Sequence, residues 1–100
     1  MAWLIQEHGP EPGRVYHLKN TVMTLGRDAG NDICILDGHL SRRHVMVRVF
    51  ESNFVLDDLN SGNGVFVNGK RLQRRVLMER DRIQIGTTIL TFTLLKPDTI

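Results

Sequence analysis

The chain is 100 residues long, 41% hydrophobic and 24% charged, with a formal net charge of +2. That length makes one domain, residues 1–100, able to remove roughly two-thirds of its unfolded surface from water. Cys34 is the lone cysteine, which rules out an intrachain disulfide and fits a reducing compartment, and His8, His17, His39 and His44 show no zinc-type spacing with it.

The first residues, Met1 to Glu7, lack a basic region, and their apolar run is too short for a signal peptide. No later segment approaches the roughly 20 apolar residues of a membrane span. The expectation is a soluble, cytoplasmic, monomeric module, with no metal, no cofactor and no membrane role. Ala2 to Gln6 reads as a first strand, and His8 to Gly13 as a loop rich in Gly and Pro. Arg14 to Lys19 and Thr21 to Arg27 follow, joined by a turn at Lys19-Asn20. Asp28 to Asn31 is a turn, and Asp32 to Leu36 a short buried strand in which Cys34 is a small buried hydrophobe.

After Ser41 the alternation is clearest: Val45, Val47 and Val49 share one face, and Met46, Arg48 and Phe50 the other. Asn53 to Asp58 returns beside it. Gly64 to Val67 and Lys70 to Leu72 flank Asn68-Gly69, a strong hairpin signal because both turn positions require positive φ. Arg82 to Ile85 and Thr88 to Lys96 form a last hairpin, with Leu90, Phe92 and Leu94 inward and Thr91 and Thr93 toward water. Between them, Arg71, Arg74, Arg75, Arg80 and Arg82 alternate with Glu79 and Asp81, which reads as a solvated face. Ten or so short strands with Gly turns imply an all-β sandwich, whose loops gather at its two ends.

Three of those loops hold an unusual mixture: Gly26-Arg27, Ser41-Arg42-Arg43-His44, and Asn60-Ser61-Gly62-Asn63-Gly64. Each alone reads as an ordinary turn or strand end. Together their chemistry is complementary to a phosphate monoester, which carries about −1.5 to −2 charges at pH 7 and three acceptor oxygens. Arg27 and Arg42 offer fork-shaped donors, Ser41 a hydroxyl, and Asn63 a donor and acceptor for an extended peptide backbone. No activated nucleophile or acid/base pair can be assembled. Asp57 and Asp58 are adjacent on a strand and face opposite sides.

Leu25-Gly26-Arg27, Asn31-Asp32-Ile33, Leu40-Ser41-Arg42-Arg43-His44, and Asp58 through Gly69 resemble, in order and spacing, the forkhead-associated (FHA) domain. The resemblance runs from about Trp3 to Leu95. It implies a noncatalytic, eleven-stranded β-sandwich of two sheets that binds phosphothreonine in partner proteins phosphorylated by a Ser/Thr kinase. On that likeness Arg27, Ser41, Arg42 and Gly62 would meet the phosphate, and Asn63 the peptide main chain. His39 and Arg43 would lie along the peptide, and Gly26, His44, Asn68 and Gly69 would be architectural.

Two positions depart from the pattern. Gly62 stands where the family usually has Thr or Ser, and Val65 where Thr is common. A missing hydrogen bond to a charged group is worth about 1.5–3 kcal/mol, although the Gly62 N–H remains. The departure leaves open a second reading, a phosphate-independent interaction module on the same fold. Nucleic-acid binding ranks last, because stacking aromatics are scarce.

Overall fold

The computed structural model describes residues 1–98. It contains eleven strands: β1 (Ala2–His8), β2 (Val15–Leu18), β3 (Met23–Gly26), β4 (Ile33–Cys34), β5 (Val45–Phe50), β6 (Asn53–Asp58), β7 (Val65–Val67), β8 (Lys70–Arg71), β9 (Arg74–Val76), β10 (Arg82–Ile85) and β11 (Thr88–Thr93). They form a six-stranded sheet in the order β2-β1-β11-β10-β7-β8 and a five-stranded sheet in the order β4-β3-β5-β6-β9. Ladders are antiparallel except β3 with β4.

Alternation places one side of each strand between the sheets. Leu4, Leu18, Leu25, Ile35, Val45, Leu56, Ile83, Ile85, Leu90 and Phe92 are almost wholly buried there, and Phe54 packs on Phe92 with centroids 5.8 Å apart. Val45 and Val47 point inward as the alternation predicts, with Val49 half-buried against the core. Asn68 and Gly69 turn at φ 52° and 85°, the positive pair the hairpin required.

Several boundaries differ from the sequence reading. Thr91 and Thr93 do not face water: they are 6% and 7% exposed, whereas Leu94 is 51% exposed. β11 is an inner strand between β1 and β10, so side chains on both neighbours flank its threonines, and Thr93 donates its hydroxyl to Glu79 at 2.6 Å. Glu79 also accepts the Leu94 N–H at 2.7 Å and closes the strand there. The segment from Asp32 to Leu36 contributes only Ile33–Cys34, with Leu36 exposed and Cys34 half-buried.

The charged run hides an unread strand, β9. Its backbone pairs with β6, and its arginines find carboxylates across the fold: Arg74 meets Asp57 at 2.6 Å and Arg75 meets Asp81 at 3.0 Å. Charge pattern alone suggested solvation because Asp57 lies on another segment and the Arg75–Asp81 pair, though within the run, forms only once the chain folds back.

Candidate functional site

Register brings the three loops to one end. Leu25 pairs with Val45, and Val45 with Asp58, so β3 ends, β5 begins and β6 ends side by side. Gly26 ends β3, His44 immediately precedes β5 and Leu59 follows β6, and the adjoining loops are stitched together. The Arg27 N–H donates to the Ser41 carbonyl at 3.1 Å and the Asp28 N–H to the Arg42 carbonyl at 3.2 Å.

Gly26 is what permits that approach. A Cβ there would lie 2.2 Å from the Arg42 carbonyl oxygen and 2.8 Å from its carbon, an overlap with main chain that cannot be relieved by a rotamer change. Asn31 braces the same carbonyl, donating from Nδ2 to Arg42 O at 2.6 Å and to Asp28 O at 2.8 Å.

His44 is fully buried beneath the loops. Its Nδ1 accepts the Ser41 N–H at 3.0 Å. Nε2, 2.7 Å from the Gly64 carbonyl, must therefore carry the proton and donate it. One imidazole thus joins the Ser41 loop to the Gly64 loop. Asp58 holds the latter from below, accepting the Ser61 hydroxyl at 2.6 Å, while Ser61 Oγ accepts the Gly64 N–H at 3.0 Å.

Above this floor, Ser41 Oγ accepts the Gly62 N–H at 3.0 Å, which leaves the hydroxyl proton free to donate outward. The Gly62 amide is therefore engaged with Ser41 and braces its hydroxyl. Arg27 is exposed and anchored through Nε to the Leu40 carbonyl at 3.1 Å, with its two Nη groups free. Asn63 donates from Nδ2 to the His39 carbonyl at 2.7 Å and keeps its Oδ1 as an acceptor. Arg42, Arg43 and His39 are exposed on the same loops. Among the described residues, Arg27, Arg42 and Arg43 have no carboxylate partner, whereas Arg14, Arg48, Arg74, Arg75 and Arg80 each do. The loop cluster thus presents three unpaired guanidinium groups beside directed hydroxyl and amide groups.

Asn68 and Gly69 are not brought to this cluster. They close the β7–β8 hairpin at the far end of β7 from Gly64, where Asn68 donates to Asp81 at 2.9 Å.

The sequence reading missed Asp37, which ties the loop carrying His39 and Ser41 to the other sheet. Its carboxylate accepts the His39 N–H at 2.9 Å, the Thr87 N–H and the Thr88 hydroxyl at 2.8 Å each, and the Thr87 hydroxyl at 2.9 Å. Burial pushes the carboxyl up, but the hydrogen bonds from His39, Thr88 and Thr87 outweigh it and hold the pKa at about 2. A lone Asp in a Gly-containing loop offers no sign that its donors lie some 50 residues later.

The FHA-domain family model matches residues 23–86. The chain is 37% identical over 91 residues to the oxoglutarate dehydrogenase inhibitor of Corynebacterium efficiens, covering 91% of this chain and 64% of that protein. It spans 56–64% of the length of the first curated relatives it matches. Its fold is similar to that of an FHA domain with phosphothreonine-dependent interactions, at TM-score 0.87 and 29% identity over 96% of this chain and 98% of that one. It is also similar to EmbR of Mycobacterium tuberculosis, solved in complex with a low-affinity phosphopeptide, at TM-score 0.87 and 31% identity over 96% of this chain and 25% of that one.

Proposed function

The chain belongs to the FHA-domain family, and from that premise we propose that it is a noncatalytic module binding phosphothreonine-containing partner proteins. Within it, Arg27, Ser41 and Arg42 hold the phosphate, Gly62 steadies the Ser41 hydroxyl, and Asn63 pairs with the peptide main chain. His39 and Arg43 flank the bound peptide. The observation that carries the reading is the junction of three distant loops by Arg27 Nε to Leu40 O, Gly62 N to Ser41 Oγ and Asn63 Nδ2 to His39 O. It leaves guanidinium and hydroxyl donors facing outward with no carboxylate to neutralise them. A dianionic phosphate fits such a surface better than a neutral ligand does.

The regulatory name of the curated relative supports a signalling role over an enzymatic one. The reading extends to a cytoplasmic setting, which a single unpaired cysteine suits. Nucleic-acid binding loses support from the same geometry, since Arg48, Arg74 and Arg75 are already paired with carboxylates.

The test is a titration with a phosphothreonine peptide and its unphosphorylated twin. Binding should require the phosphate, and Arg27→Ala should weaken it at least tenfold. Affinity should also fall below about pH 6 as the phosphate takes up its second proton. Equal affinity for both peptides would favour phosphate-independent recognition, the reading that the missing hydroxyl at Gly62 supports.

A further inference from the structure

Arg71 carries a charge that nothing in the fold answers. It lies on β8, the edge strand of the six-stranded sheet, opposite Phe66 of β7. Its side chain runs diagonally back across β7 to the loop that carries Asn63. Nε, Cζ and Nη2 lie 2.6, 2.8 and 2.9 Å from where a Cβ on Gly64 would stand. The guanidinium therefore occupies the space vacated by the missing side chain. Gly64, at φ +77°, is the one residue type that suits both this backbone and this overlay.

The Gly64 carbonyl is turned inward to His44, so the guanidinium covers the outer side of the loop, one residue from Asn63. It is exposed, and among the described residues it makes neither a hydrogen bond nor an ion pair. The neighbouring Arg74 and Arg75 both have carboxylate partners. A cation seated on a glycine and left unpaired beside a peptide-holding Asn is suited to a carboxylate arriving with the ligand. The atoms nearest a Cβ on Gly64 are those of Arg71, whereas at Gly62 the nearest is Ser41 Oγ, so the two cover different glycines of the loop.

We propose that Arg71 is a specificity-determining residue that pairs with an acidic side chain flanking the phosphothreonine of a bound peptide. This rests on the phosphopeptide reading of the loop cluster. The pair is solvent-exposed, so its effect is a modest discrimination, about threefold to fivefold in affinity.

The experiment is a phosphothreonine peptide library with degenerate flanks, followed by titration of matched peptides carrying Glu or Gln at the selected position. The wild type should favour Glu over Gln by about threefold to fivefold. Arg71→Ala should bring that ratio near one, Arg71→Glu should invert it, and Arg71→Lys should retain part of it. A ratio unchanged by Arg71→Ala, or an equal loss for Glu and Gln peptides, would overturn the proposal, the latter by assigning Arg71 to the phosphate. A wild type that binds phosphothreonine peptides with no acidic preference would sink this inference alone. A wild type that binds none of them would sink the parent reading with it.

Discussion

Gly26 and Gly62 are both site glycines, and the space around them gives them opposite expectations. At Gly26 a methyl group would meet the Arg42 main chain, so Gly26→Ala must part the Arg27 and Ser41 segments. Overpacking of this kind costs about 1–3 kcal/mol. The expected outcome is a lower urea midpoint together with loss of phosphopeptide affinity. An unchanged midpoint would show that the two loops do not touch in solution. At Gly62 the nearest atom to an added Cβ is Ser41 Oγ, 4.0 Å away, which is ordinary contact. Gly62→Ser should therefore fold as well as the wild type and add a donor beside Ser41. Titration should find tighter binding to a phosphothreonine peptide, up to about tenfold.

At the scale of elements, the five-stranded sheet depends on one carboxylate. Asp57 on β6 accepts from Arg48 on β5 at 2.7 Å and from Arg74 on β9 at 2.6 Å, tying three strands across their outer face. Burial pushes the Asp57 carboxyl up, and the bonds from Arg74 and Arg48 bring it net below its usual range. Arg74 is 69% exposed, so its share is heavily screened, whereas Arg48 at 26% is held more closely. Asp57→Ala should cost about 1–2 kcal/mol. It should also speed hydrogen exchange at the amides of β9, a short edge strand with a single neighbour. Exchange rates in β9 equal to wild type would mean that backbone pairing alone holds the edge.

For the whole molecule, the depressed carboxylates set an acid limit. Asp37, at about 2 against an ordinary 3.8, favours the folded state in its ionised form. Its contribution is complete above pH 4 or so and is lost as pH falls toward about 2. The difference amounts to about 2 kcal/mol for Asp37, and Asp57 and Asp81 titrate in the same direction. Stability measured by urea unfolding should be level above about pH 5 and drop steeply between about pH 4 and pH 2. Asp37→Asn should lower the plateau and soften that drop. A stability curve that stays flat to pH 2 would remove Asp37 from its bridging role. Because Asp37 joins the β10–β11 turn to the loop carrying His39, the same substitution should weaken phosphopeptide binding.

Local order determined a large part of this protein. Alternating valines specified β5 and Asn68-Gly69 specified a hairpin, because each signal is carried by neighbours along the chain, whereas Gly26-Arg27, Ser41-Arg42 and Asn63 pointed to a shared site only in combination. Tertiary structure decided the rest. It buried Thr91 and Thr93 between flanking strands, gave Arg74 of β9 its partner Asp57, and put Asn68 and Gly69 at the far end of β7 from the site loops. It also engaged the Gly62 amide with Ser41, gave Asp37 its donors and laid Arg71 over Gly64. Each of these depends on which polar group finds which partner across the sheets, and that pairing exists only once the two layers have closed.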